Sequence, residues 1–305
     1  MVIMVFVDVF IGYAFKEMRK MPKSGITHKN YYISEELRDD VIILGSSRAA
    51  RHYDPAIIGD TLGLTCYNCG EPGCGIVTAY ARFQMILQRH RPKLVIYEIT
   101  PGYDYFVSDP YSKYLGALRR DAYKEPVKKV FKDFGDQLMP LRLLSSLYHA
   151  NSCLVENLMD IVSPASDDLG YAPLVGTLPA GAAAVYQRKH STEVDTLKLS
   201  YIQKLIDDAK NEHIAICFVS SPRYGIPSEE DVYDFQVVRD ICAENHVPYL
   251  DYYYTEGISD NHRYFQDTNH LNIEGARVFS SLISRQVKNI IVNNGFYGER
   301  FILGV

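Results

Sequence analysis

Residues 41–49, VIILGSSRA, decide the fold of this chain. Val41–Leu44 is a short apolar run that ends at a glycine and two serines, which is typical of a buried central strand of a parallel sheet. Helical periodicity then alternates with further apolar runs, a pattern that predicts a flavodoxin-like, doubly wound α/β fold. We expect five parallel strands in the order 2-1-3-4-5, with the later four within LTCYNCGEPGCG (64–75), KLVIYEIT (93–100), HIAICFVSS (213–221) and VPYLDYY (247–253).

One stretch interrupts the alternation of strands and helices. Residues 105–192 contain helical segments and an irregular, glycine-containing loop, and we interpret them as a mostly helical insertion that covers the strand ends as a lid. The predicted organisation is an N-terminal apolar segment over residues 1–24 and one catalytic-type domain over residues 25–305.

Composition excludes several classes of function. The chain has 305 residues, a net charge of -5 and a pI near 6.0, without a basic stripe, which argues against a nucleic-acid partner. Cys66 and Cys69 have a C-x-x-C spacing, but no second pair of ligands lies nearby, so we predict no metal and no cofactor. A disulfide between Cys69 and Cys74 would require export, and buried thiols are the simpler interpretation.

The turn after the first strand can carry a nucleophile. Gly45 permits a sharp turn, and a serine after it can be exposed where the next helix begins, with backbone N–H groups directed at a developing oxyanion. Ser46 and Ser47 could equally be helix caps.

A second candidate motif precedes the last helix. Asp267 and His270 are three residues apart, so the carboxylate can orient the imidazole and leave its other nitrogen free to accept a proton from a serine. The alternative is a capping aspartate beside a surface histidine. Together with a serine at a strand end some 220 residues earlier, the motif predicts a catalytic triad.

These motifs resemble the ordered blocks of the SGNH/GDSL-type hydrolases. The matching segments are ILGSSRA, NCGEPGCG and DTNHLN. The resemblance implies Ser47 as nucleophile, His270 as base and Asp267 as the orienting acid. It also implies an oxyanion hole formed by the N–H groups of Ser47 and Gly73, with Gly70 as the second choice for the glycine.

The resemblance covers roughly residues 40–105 and 213–290. The sequence departs from the family's pattern at one position. The family's third block carries an asparagine that donates to the oxyanion, whereas the third strand here ends YEITPGYDYF. Loss of one such donor can cost about 10²–10³ in rate. Arg48 and Asn68 are the residues that could replace it. We expect the substrate pocket to be lined by Arg48, Asn68, Asp104, Arg223 and Tyr224.

The GSSR sequence at residues 45–48, the missing asparagine and the apolar N-terminal segment together resemble a divergent branch of membrane-tethered proteins that add or remove acyl groups on cell-envelope polymers. This similarity implies a serine-dependent esterase for O-acetyl or other O-acyl groups, with an acylated small molecule or glycan as substrate. An O-acyltransferase on the same triad is an alternative, because the first half-reaction is identical. A non-catalytic module that binds a polymer or a partner is the third possibility, favoured by the missing asparagine.

The N-terminus carries an apolar run followed by basic residues. Val2–Phe15 is nearly all apolar, and Lys16, Arg19, Lys20 and Lys23 follow it. A membrane anchor with its start removed, a poor signal sequence and an amphipathic surface helix remain open. We favour an anchor, as a helix that stands apart from the core, with the catalytic part facing the cell envelope or periplasm. The trailing positive charge, taken alone, would place that part in the cytoplasm instead.

Overall fold

The structure is a computed structural model that describes residues 2–135, 137–150, 153–162, 169–184 and 190–294. Its strands are β1 (Val41–Gly45), β2 (Cys66–Asn68), β3 (Leu94–Glu98), β4 (Ala215–Ser220) and β5 (Tyr249–Asp251). Its α-helices are α1 (Val2–Met18), α2 (Gly25–Tyr31), α3 (Ser47–His52), α4 (Pro55–Leu62), α5 (Ile76–Leu87), α6 (Pro101–Asp104), α7 (Tyr111–Gly116), α8 (Glu125–Phe134), α9 (Met139–Arg142), α10 (Ser146–Ala150), α11 (Leu154–Val162), α12 (Thr196–Asn211), α13 (Glu229–Asp234), α14 (Gln236–Glu244) and α15 (Ile273–Asn294). A π-helical turn covers Tyr32–Glu36, and two 3₁₀ turns cover Arg119–Asp121 and His262–Tyr264.

The five strands form one parallel sheet in the order β2-β1-β3-β4-β5, which confirms the predicted fold. All residues of β1, β3 and β4 are buried, as expected for strands with both faces covered. Alternate strand residues face α3, α4 and α15, and Phe279 and Ile283 of α15 complete that side of the core. Because the strands are parallel, β1, β3 and β4 present their carboxyl ends at the same edge of the sheet.

The chain divides into two compact units. The sheet belongs to the unit formed by residues 39–79, 91–108 and 169–305, which we call the sheet unit. The other unit, which we call the helical unit, consists of residues 1–38, 80–90 and 109–168. The predicted insertion 105–192 is therefore shared: its helices α7–α11 belong to the helical unit, whereas the described residues 169–184 and 190–192 form neither helix nor strand and belong to the sheet unit.

Within the helical unit, α1 exposes much of its apolar surface but does not stand apart. The Asp8 carboxylate accepts hydrogen bonds from Ser145 Oγ at 2.7 Å and from the backbone N–H of Ser146 at 2.8 Å, at the start of α10. Phe15 is buried against Ala150 and Cys153. The predicted helix is therefore present with most of its apolar side chains exposed, and Asp8 and Phe15 fix it to the segment that contains α10. Among the described helices, none has the length and hydropathy needed to cross a membrane.

Candidate active site

The turn between β1 and α3 is built around Gly45. Its φ of +133° is rarely open to residues with a side chain, and a Cβ placed there would lie 2.4 Å from the carbonyl oxygen of Glu98 on β3. The chain can therefore turn sharply at the end of β1. Ser46 is fully buried, whereas Ser47 begins α3 and is partly exposed.

Side chains from two segments that are distant in sequence meet at this turn. Ser47 Oγ lies 2.9 Å from His270 Nε2, although the two residues are 223 positions apart. His270 Nδ1 lies 3.0 and 2.9 Å from the two carboxylate oxygens of Asp267. These contacts are consistent with a tautomer in which Nδ1 carries the hydrogen and Nε2 accepts from the serine hydroxyl.

The carboxylate of Asp267 also orders its own loop. Its Oδ1 accepts the backbone N–H groups of Asn269 at 2.8 Å and His270 at 3.0 Å. Partial burial acts to raise the pKa of Asp267, but the hydrogen bonds from His270 and Asn269 outweigh it and hold the pKa below its ordinary value. The group is therefore an anion at neutral pH, as required to stabilise a positive charge on His270.

The loop after β2 distinguishes the two glycines proposed as oxyanion donors. The N–H of Gly70 donates to the side chain of Asn68 at 3.0 Å and is therefore occupied. Gly73 has a φ of +76°, and no described residue accepts a hydrogen bond from its N–H. This difference favours Gly73.

Asn68 cannot replace the missing asparagine. Both hydrogens of its amide are used, one by the carbonyl of Ala49 at 2.8 Å and one by the carbonyl of Tyr53 at 2.9 Å. Asn68 is fully buried and joins β2 to the segment after β1. The prediction that it lines the pocket or donates to an oxyanion is wrong, because its donors satisfy backbone carbonyls.

The side chain of Arg48 is nearly buried and contacts other protein groups. It is 9% exposed, and its guanidinium contacts Glu98 Oε1 at 2.9 Å and Ser221 Oγ at 3.2 Å. The guanidinium also lies 5.1 Å from the ring of Tyr253. Because protein groups occupy the guanidinium, the structure does not support the prediction that Arg48 lines the substrate pocket or replaces the missing asparagine.

Asp104 is likewise enclosed by the fold. Its Oδ1 accepts the hydroxyl of Tyr97 at 2.7 Å and its Oδ2 accepts the N–H of Thr100 at 2.6 Å, which closes the turn after β3. The side chain has no exposed surface. Burial raises its pKa to about 7, against these hydrogen bonds. The prediction that Asp104 contacts substrate is not supported.

Arg223 and Tyr224 lie next to the Asp-x-x-His loop. Arg223 Nε donates to Asn269 Oδ1 at 3.1 Å, and the backbone N–H of Tyr224 donates to the carbonyl of Thr268 at 3.1 Å. Arg223 is buried and Tyr224 is partly buried. Their observed role is to join the turn after β4 to the loop that carries His270.

The cysteines and possible metal ligands of the sequence were also located in the structure. All six cysteines are buried and none forms a disulfide, so Cys69 and Cys74 are not bonded to each other. Within the described ranges, no group of three or more His, Cys, Asp or Glu side chains is placed to hold a metal ion.

Comparison with known proteins gives structural likeness only. No family model and no curated protein matches the sequence. A predicted acylhydrolase of Bacteroides fragilis has a TM-score of 0.45 at 14% identity over 88% of this chain and 98% of its own. A GDSL-like lipase of Bacteroides thetaiotaomicron has a TM-score of 0.41 at 12% identity over 91% and 97%. A predicted lipolytic protein of the G-D-S-L family from Desulfitobacterium hafniense has a TM-score of 0.39 at 12% identity over 81% and 98%.

Proposed function

We propose that this protein is an SGNH-type serine hydrolase that acts on acyl esters. The observation that carries the proposal is the contact of Ser47 Oγ with His270 Nε2 at 2.9 Å, with His270 Nδ1 in turn bonded to Asp267. Packing does not require a serine at the end of β1 to meet a histidine from the loop before α15. The nucleophile, base and orienting acid of ester hydrolysis need this arrangement.

The chemistry follows from the three side chains. Ser47 Oγ attacks the ester carbonyl while His270 Nε2 accepts its proton, and the Asp267 carboxylate stabilises the resulting imidazolium. His270 then returns the proton to the leaving alcohol, and water attacks the acyl-serine in the second half-reaction. The N–H groups of Ser47 and Gly73 hold the oxyanion in this scheme.

The finer proposal concerns the substrate. The similarity to the cell-envelope branch supports an O-acetyl or other O-acyl group on a carbohydrate or envelope polymer. If a sugar hydroxyl takes the place of water in the second half-reaction, the same residues perform acyl transfer.

Covalent labelling tests the proposed nucleophile. We expect a fluorophosphonate to label the full chain, and Ser47→Ala to abolish both labelling and the hydrolysis of a small acetyl ester. Ser46→Ala is the matched control: the Ser46 hydroxyl is buried without a partner among the described residues, so its removal should change stability by about 1 kcal/mol or less and leave labelling intact. Labelling that persists in Ser47→Ala would refute the proposal and favour the binding module.

We also propose that α1 tethers the protein to the surface of a membrane. Its exposed apolar residues point in many directions around the helix, and Phe6 is 72% exposed. A partner protein would cover one side of such a helix, whereas lipid can cover several sides. The exposed Lys20 and Lys23 follow the apolar run and can contact anionic headgroups. The apolar residues with high exposure are Ile3, Met4, Val5, Phe6, Val7, Val9, Phe10 and Tyr13.

A further inference from the structure

A buried histidine, His52, is bonded to the loop that carries His270. The backbone N–H of Leu271 donates to His52 Nε2 at 3.0 Å, so this nitrogen must be unprotonated. The hydrogen of the neutral ring therefore lies on Nδ1, which donates to Ser221 Oγ at 2.8 Å. His52 has no exposed surface and uses both ring nitrogens.

The hydrogen bonds extend from His52 through Ser221 to Glu98. The Ser221 hydroxyl accepts from His52 Nδ1 and from Arg48 Nε at 3.2 Å, and it donates its own hydrogen to Glu98 Oε1 at 2.8 Å. One donor and two acceptor positions are thus all used. Glu98 also accepts from Arg48 Nη2 at 2.9 Å and from the hydroxyl of Tyr53.

Charge and burial keep the histidine neutral. Burial lowers the pKa of His52 well below its ordinary value, and the positive charge of Arg48 and the nearby His270 ring add to this effect. The neutral ring can therefore remain an acceptor for Leu271 throughout the range in which the protein would work.

The ends of this series of contacts adjoin the proposed catalytic pair. Arg48 follows Ser47 in the chain, and Leu271 follows His270. The contacts from Arg48 through Glu98, Ser221 and His52 to Leu271 thus connect the backbone at the nucleophile with the backbone at the base. They also link the segments that follow β1, β3 and β4 through side chains.

We propose that His52 is a positioning residue, which holds His270 in register with Ser47 by accepting the Leu271 N–H. The inference rests on the proposed function and extends it to a residue that does not touch substrate. Such a residue can affect catalysis because a shift of a catalytic group by about 1 Å can lower the reaction rate by about 10²-fold.

Two amide substitutions separate the two hydrogen bonds of His52. The side-chain oxygen of Gln can take the place of Nε2 as acceptor, whereas the amide nitrogen of Asn can take the place of Nδ1 as donor. We expect His52→Gln to keep most of the kcat for a small acetyl ester, and His52→Asn to lose about 10–100-fold in kcat with little change in KM. Tyr97→Phe is the control, because it removes a buried hydrogen bond to Asp104 that does not involve the catalytic loop; its kcat should match that of the wild type.

Amide hydrogen exchange at Leu271 provides a readout that does not depend on activity. Protection of this amide should persist in His52→Gln and fall in His52→Asn while the sheet remains protected. Equal kcat and equal Leu271 protection in the two variants would overturn the inference. A wild-type protein without esterase activity or fluorophosphonate labelling would refute the proposed function instead, and the exchange result would still decide whether His52 holds the loop.

Discussion

At the scale of single residues, buried ionisable groups surround the candidate site without taking part in its chemistry. Asp104 and Glu98 both form hydrogen bonds within the protein at the end of β3. Burial raises the pKa of each carboxyl, although the positive charge of Arg48 opposes this effect at Glu98. The sequence predicts that Asp104 lines the substrate pocket. A side chain with no exposed surface and protein donors on both oxygens cannot bind a ligand.

The raised pKa of Asp104 predicts that the stability of the protein falls as pH rises. Its pKa is about 7 in the folded chain and near 3.8 when unfolded, so the folded state binds more protons between these values. The stabilisation is fully present below the unfolded pKa and is lost as pH rises through about 7. Between pH 5 and 8, this one group should lower the free energy of unfolding by about 2 kcal/mol.

The measurement is chemical denaturation of wild type and Asp104→Asn across this pH range. Asn cannot ionise, so the difference in unfolding free energy between the two proteins should shift by about 2 kcal/mol in the expected direction. A difference that stays constant with pH would show that Asp104 does not titrate in this range. Taking the difference cancels the opposite trend from His52, whose lowered pKa makes stability rise with pH.

At the scale of elements, the strands were predictable because each is a short apolar run between turn residues. The predicted β1, Val41–Leu44, agrees with the structure to within one residue, and β3 lies within the predicted segment 93–100. The candidate triad could be proposed from the sequence because Asp267 and His270 lie in one motif. The contacts of His52 with the Ser221 hydroxyl and the Leu271 N–H could not be predicted, because no sequence spacing encodes a meeting between residues 169 and 219 positions apart. His52 alone is more often a packed core residue.

The turn from β1 to α3 is the element on which the site depends most. Gly45→Ala would place a Cβ 2.4 Å from the carbonyl of Glu98, on a backbone with φ of +133°. We expect a loss of about 2–4 kcal/mol in stability, because neither β1 nor β3 can move without breaking the sheet. Denaturant unfolding measures the loss. Gly116→Ala is the matched control, since nothing lies within 4 Å of a Cβ there, and equal stability losses in the two variants would contradict this account of the turn.

At the scale of the whole molecule, the composition of the helical unit could not be predicted. The sequence suggested a separate N-terminal segment and an insertion beside the sheet, but residues 1–38 and 109–168 belong to one compact unit. The association depends on particular contacts within that unit, such as Asp8 with Ser145 and Arg19 with Asp121, which joins buried charges at 2.9 Å. Neither contact has a pattern that can be recognised in sequence.

The membrane proposal makes the prediction that concerns the intact chain. Wild-type protein should sediment with vesicles that contain phosphatidylglycerol, because apolar side chains on α1 and the lysines after it contribute together. The double variant Phe6→Glu/Phe10→Glu should lose this binding, since it places two charges on the exposed apolar surface of α1. Ile226→Glu is the matched control: Ile226 is 81% exposed and lies in the sheet unit, so its replacement should leave binding unchanged. Wild-type protein that remains in the supernatant would refute the tether, and self-association that the double variant abolishes would identify α1 as a contact between copies of the chain instead.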